Sequence, residues 1–151
     1  MPLEQVLSGT RFVVKLSNMK WLYFFLFIIV LASCSESVIS KKLSATDSLV
    51  INFNGIGPDS VTKTVSTTDK NAIHKLVQFV DGGSTQEFKC GYDGNLTFYS
   101  KDQPLLPVVF KYKNDSCRHF LFEMDGKTMS TKISKEAADF LTSLEEGKQV
   151  Y

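Results

Sequence analysis

Twelve consecutive apolar residues, Trp21 to Ala32, constrain this chain more than any other feature. Lys20 precedes the run, Ser33 and Cys34 follow it, and the next charge is Glu36. As a helix, the uncharged stretch 21–35 rises roughly 22 Å at ~1.5 Å per residue. That falls short of the ~30 Å hydrocarbon core of a bilayer. With no polar face, the run does not suit a surface helix of a small domain either. Its length and flanks fit the apolar part of a secretory signal, a positive residue before it and small residues after. An uncleaved single-pass anchor is the alternative, and it needs snorkelling ends to reach across. The expected division is therefore a signal peptide over 1–33 and a remainder that folds without it.

The end of the run is more specific. Leu31-Ala32-Ser33-Cys34 resembles the lipobox of bacterial lipoproteins, an aliphatic residue and two small residues before an obligatory Cys. The resemblance implies that the Cys34 thiol takes a diacylglycerol. It also implies that a dedicated signal peptidase recognises Leu31, Ala32 and Ser33 and cuts before Cys34, whose freed amine is then acylated. The likeness covers residues 19–34 and implies nothing about the fold beyond them. Residues 1–18 would make an overlong charged region, whereas Met19-Lys20 opens a normal one, so Met19 is the expected start. Ser35 stands where Asp would retain such a protein in the inner membrane of enteric-type bacteria. The expected location is the cell envelope, at the outer membrane, facing the periplasm or the surface.

Residues 34–46 are rich in Ser and show no periodicity, which predicts a flexible tether. The folded domain is expected over 47–151. From Ser35 onward the chain carries 14 basic and 15 acidic residues. A near-neutral domain has no long-range field to collect polyanions, so no nucleic-acid partner is expected.

Leu49, Ile51 and Phe53 alternate as a half-buried strand does, and Val61 to Ser66 reads as a second strand. Thr68 or Asp69 caps a helix whose face is Ile73, Leu76, Val77 and Val80, ended by Gly82 and Gly83. Phe88, Cys90 and Tyr92 then alternate up to Asp93-Gly94, a hairpin-turn signal. Leu96 to Tyr99 returns, and Pro104 and Pro107 mark a loop. Val108 to Tyr112 leads to a turn at Asn114-Asp115. Arg118 to Met124 leads to a turn at Asp125-Gly126 and a strand from Lys127 to Ile133. Ser134 caps a last helix through Ala137, Ala138, Phe140, Leu141 and Leu144. The expected class is α+β, a mostly antiparallel sheet of six to seven strands with two helices, in the order ββα-βββββ-α.

Chemistry-bearing patterns are sparse. His119 and Glu123 share a strand face but stand roughly 13 Å apart, too far to chelate one ion. No HExxH or CxxC occurs, so no metal or cofactor is expected. Gly55-x-Gly57 is followed by Pro58 and a strand rather than a helix, which disfavours a dinucleotide loop. With Cys34 consumed by lipid, Cys90 and Cys117 form an even pair in an exported domain, and a disulfide between neighbouring strand ends is expected.

A two-residue turn at Asn114-Asp115 would set Val108, Phe110, Tyr112, Cys117, His119 and Leu121 on one face. Val109, Phe120, Phe122 and Met124 would lie on the other. With helices for only one of two partly apolar faces, the other is either covered by the first two strands or the Pro104 loop, which is slightly favoured, or is a partner surface at Phe110, Tyr112, His119 and Leu121. The expected function is a lipid-anchored envelope protein, a non-catalytic binding, inhibitor or assembly-accessory module. Its partners would be the membrane, through the anchor, and an envelope protein or a peptidoglycan-type glycan. The alternative is a small envelope hydrolase whose active site is assembled from dispersed residues.

Overall fold

Alternation along three strands and two amphipathic helices build one core. The computed structural model describes residues 36–55, 60–87 and 89–148. In chain order the elements are α1 (Val38–Leu43), β1 (Ser48–Asn54), β2 (Val61–Thr67), α2 (Lys70–Val80), β3 (Gly94–Ser100) and β4 (Gln103–Lys111). A 3-10 turn (Asp115–Cys117), β5 (His119–Met124), β6 (Lys127–Lys132) and α3 (Lys135–Glu145) complete them. The strands form one six-stranded sheet in the order β2-β1-β3-β4-β5-β6, and every pairing is antiparallel. The class is α+β, as expected.

Registers align the apolar residues in rows across the sheet. Ile51, Leu96, Val108 and Phe122 face one another in one row, and Phe53, Gly94, Phe110 and Phe120 in the next. Ile73, Leu76, Val77 and Val80 of α2 pack on this face with Ala137, Ala138, Phe140, Leu141 and Leu144 of α3. The expected caps are in place: Asp69 accepts from Ala72 N–H, and Ser134 from Ala137 N–H. Asp125 and Gly126 turn the β5–β6 hairpin with φ of 53° and 71°, the left-handed pair that a two-residue turn requires.

Six local readings are corrected. The stretch expected to be a tether over 34–46 is helical from Val38 to Leu43. Ser37 caps it, and Ile39 and Leu43, one turn apart, are buried in the core. Ser37 and Ser40 both donate to Asp81 at the end of α2, so α1 is tied to α2 by hydroxyls as well as by packing. The compact unit therefore begins at Glu36 rather than at residue 47.

Asp93-Gly94 is not a hairpin turn. Gly94 opens β3 between Phe53 and Phe110. Residues Lys89–Tyr92 form no strand, so four strands rather than five follow α2. Phe88 lies outside the described residues.

Pro104 and Pro107 sit inside β4 rather than in a loop. β4 pairs with β5 only from Val108 to Lys111, so both prolines lie beyond the end of that ladder. There one side of the strand needs no donor.

Asn114-Asp115 is not a two-residue turn. The Asn114 side chain accepts from Ser116 N–H and caps the 3-10 turn, which lengthens the connection. Phe110 therefore faces Phe120, where the shorter turn would have set it against His119. A slip of one residue exchanges the faces of a strand. Phe120, Phe122 and Met124 thus join Val108 and Phe110 in the core.

Candidate functional site: an open sheet face beside a carboxylate hub

The one-residue register shift decides what the outer face of the sheet presents. Opposite the helices, Thr64, Asn52, Asn95, Val109, Leu121 and Ser130 form the central row across all six strands. Ser66, Val50, Thr97 and Pro107 form the row beside it. Most of these side chains are half-buried or exposed. Thr64 Oγ1 donates to Asn52 Oδ1 at 2.8 Å, and Asn52 Nδ2 donates to Asn95 Oδ1 at 3.1 Å. This relay fixes the amide orientations across three strands. The two rows carry no charge, and their polar end, at β2 to β3, runs into an apolar end at Val109 and Leu121. These rows offer hydrogen bonds and apolar contact, and Lys111, His119 and Lys132 border them on the same face, with Glu123 two residues from Leu121.

Titratable groups gather instead at the end of the sheet. Asp93 is buried. Its Oδ1 accepts from Lys111 Nζ at 2.7 Å, and its Oδ2 from Tyr112 N–H at 2.8 Å and Lys113 N–H at 2.9 Å. Its own N–H donates to Phe110 O, and its carbonyl accepts from Asn54 N–H, both at 2.8 Å. One residue thus joins the ends of β1, β3 and β4. Burial alone would raise the Asp93 carboxyl, but the hydrogen bonds from Lys111, Lys113 and Tyr112 outweigh it and hold the group below the ordinary carboxylate range. Nearby, Glu145 accepts from Tyr112 Oη at 2.5 Å and from Lys113 Nζ at 2.8 Å. Burial, reinforced by the Glu145 carboxylate, pushes the Tyr112 phenol well above its ordinary range, so it stays protonated. Both carboxylates are engaged in joining elements.

The lowered Asp93 carboxyl has a stability consequence. A group ionised more readily in the folded state stabilises it above the unfolded value and loses that contribution as pH falls through the folded one. Stability is therefore expected to decline as pH falls below about 4. Asp93→Asn should be less stable at neutral pH and show a flatter acid limb in urea titrations from pH 6 to pH 2. An acid limb unchanged by the substitution would remove Asp93 as its cause.

The residues singled out in the sequence fall in four places. Cys34 and its recognition residues Leu31, Ala32 and Ser33 lie outside the described residues, as do the apolar run and Met19. Cys90 and Cys117 form a disulfide with Cα atoms 6.3 Å apart. The pair is as expected, but it joins a non-strand segment to the 3-10 turn, not two strand ends.

Phe110 and Tyr112 are in the core, so the surface expected at Phe110, Tyr112, His119 and Leu121 is divided between two faces. Leu121 alone of the four is accessible, on the outer face. His119 is on that face too, yet it is 0% exposed. Tyr92 lies over its ring at 6.2 Å, and its Nδ1 is 2.7 Å from Cys117 O. Glu123 is exposed on the same face.

A cleft of about 620 Å³ opens where Phe79, Gly83, Arg118, Lys132 and Lys135 meet. Arg118 is held there by Asp115 at 2.6 Å and by Tyr112 O at 2.9 Å. Among the described residues, no three His, Cys, Asp or Glu side chains are grouped to hold a metal ion.

The outer rows were within reach of the sequence. Val50, Asn52, Asn95 and Thr97 are the outward set of two alternating strands, and they are Asn, Thr and Val rather than Lys and Glu. The Asp93 hub carries no such signal, because its partners lie some twenty residues downstream. Comparison with protein-family models, with curated proteins and with solved structures finds nothing that matches this chain.

Proposed function

We propose that the chain is a lipid-anchored protein of a bacterial cell envelope and that its domain is a non-catalytic binding module. The lipobox-like Leu31-Ala32-Ser33-Cys34 after a signal-like run supports the anchor. The observation that carries the binding role is the pair of uncharged rows on the outer sheet face, with their Thr64–Asn52–Asn95 relay beside Val109 and Leu121. Hydrogen-bonding amides next to apolar side chains suit an envelope protein or a glycan chain. Ser37, which caps α1, is three residues beyond Cys34. Those residues reach roughly 10 Å when extended. An acylated Cys34 would therefore hold the domain close against the lipid surface. Two or more acyl chains bind a membrane firmly, where one binds marginally.

Cys34→Ser is expected to leave an unprocessed precursor that takes up no labelled fatty acid. Processing and labelling equal to the parent would end the lipoprotein reading. Val109→Glu places a charge in the middle of the open face without touching the core. It should abolish retention on isolated sacculi or on envelope proteins while the melting temperature stays near the parent value. Binding unchanged by Val109→Glu would move the partner site off this face.

A further inference from the structure

We infer that the cleft between the end of α2 and the start of α3 is a second binding site, apart from the open sheet face, for a ligand that carries one carboxylate beside an apolar group. Three pieces of chain build it. Phe79 lies in the last turn of α2, with Gly82 just beyond the helix. Lys132, at the border of the outer face, and Lys135, in the first turn of α3, flank the connection from β6 to α3. Arg118 stands between the 3-10 turn and β5. A Cβ on Gly82 would come within 2.7 Å of Lys132 O, so the first two pieces meet backbone to backbone. The volume of about 620 Å³ is that of a small-ligand site.

Charge selects the ligand. Among the residues that line the cleft, Arg118, Lys132 and Lys135 are cationic and Asp115 alone is acidic. The chain from Ser35 onward is near neutral, with 14 basic and 15 acidic residues, so this excess is local. Arg118 is set for an anion. Its side chain is only 23% exposed, its Nε donates to Tyr112 O at 2.9 Å, and its Nη2 lies 2.6 Å from Asp115 Oδ1. These two contacts fix the guanidinium, and among the described residues nothing engages Nη1. A guanidinium held in this way keeps donors for a planar oxyanion. Lys132 forms no ion pair among the described residues. Lys135 is paired with Asp139 at 2.6 Å, but both side chains are exposed, and such surface pairs hold weakly.

Asp115, 85% exposed at the rim, limits the charge that the cleft accepts. Its carboxylate repels a dianion such as a phosphate monoester more than it repels a single carboxylate. The apolar part of the ligand has its seat on Phe79, which is half-buried and whose ring is backed by the Phe140 ring at 5.6 Å. A carboxylate next to an apolar side chain is the chemistry of a peptide's free C-terminus and of a small aromatic acid. Neither source needs the lipid anchor or the amide relay, so the inference goes beyond both.

Calorimetric titration of the full chain in detergent, with each ligand run into detergent alone as a blank, tests the site. N-acetyl-L-phenylalanine should bind at least about tenfold tighter than its neutral amide, because the charged hydrogen bonds go with the acid. The N-acetylated tripeptide alanyl-alanyl-phenylalanine separates the two sources. Tighter binding than the single residue assigns a peptide C-terminus, and equal binding assigns a small acid. Lys132→Glu with Lys135→Glu reverses two exposed charges. It should cut affinity for the acid at least about tenfold while the melting temperature stays near the parent value. Arg118→Lys keeps the charge but loses the planar fork, and it should weaken the acid more than the amide. Equal binding of acid and amide would overturn the proposal, as would no detectable binding of either acid. So would an affinity for the acid that the double reversal leaves unchanged, or phenyl phosphate binding tighter than the acid.

Discussion

Replacing Cys90 and Cys117 together by Ser is expected to lower stability by roughly 3–4 kcal/mol, the loop-closure entropy of a crosslink spanning nearly thirty residues. The bridge joins positions 27 apart, and β3 and β4 lie inside the loop that it closes. An open unfolded chain regains that freedom, while the folded sheet keeps its registers. The loss is a large share of the ~5–15 kcal/mol that holds a typical domain together. Urea unfolding of the double variant, against the unreduced parent, reads the difference directly.

A second readout separates the global effect from a local one. The bridge also holds Tyr92 over His119, and residues 89–92 belong to no helix or strand. Amide exchange in that segment should rise by more than exchange in β1. A double variant within 1 kcal/mol of the parent would mean that the unfolded chain is already constrained near these positions.

Gly94→Val should be still more damaging. A Cβ at this position would lie 2.3 Å from the backbone oxygen of Asn52 and 2.6 Å from Phe110 Cζ. Real Cβ atoms do not approach so closely, so β1 and β3 would have to separate or the Phe110 ring leave its place. Forcing extra carbon into a packed interior costs about 1–3 kcal/mol when the surroundings yield, and more when backbone must move. Even Gly94→Ala should cost about 3 kcal/mol, at the top of that range.

The control is Phe110→Leu. It clears space on the ring side but leaves the Asn52 carbonyl where it is, so it should not rescue Gly94→Ala. If Gly94 served a turn, alanine there would cost only about 1 kcal/mol, for a strained left-handed residue. Chemical unfolding of Gly94→Ala therefore tells close packing from turn geometry.

What could be read from residues alone was whatever depends on neighbours in sequence. Leu49/Ile51/Phe53 alternate, Ile73/Leu76/Val77/Val80 recur at helical spacing, and Asp69, Ser134 and Asp125-Gly126 act within three residues of themselves. Each of these elements is present. The Cys90–Cys117 pair was also legible, since two cysteines remain in the domain and one bridge uses both.

The failures share one cause: two conformations with similar local propensities were separated by contacts from far along the chain. Asp93-Gly94 has a turn's composition, but Asp93 is claimed by Lys111, Tyr112 and Lys113, and Gly94 by the approach of Asn52 and Phe110. Pro104 and Pro107 fit a strand because the β4–β5 ladder ends at Val108, short of both. Val38–Leu43 is too short to hold a helix in isolation, and it forms because α2 offers Asp81 and an apolar seat for Ile39 and Leu43.

The candidate surface turned on the same point. Alternation specifies which residues of a strand share a face, but not which face of one strand meets which face of the next. That choice was made by the 3-10 turn at Asp115–Cys117, whose extra residue rotates β5 and sends Phe120 and Phe122 inward. Sequence by itself determined the elements and the cysteine pair, because propensity and spacing act locally. Only the tertiary structure decided the register, and with it which side chains are core and which are left for a partner, because register is settled by packing between strands rather than within one.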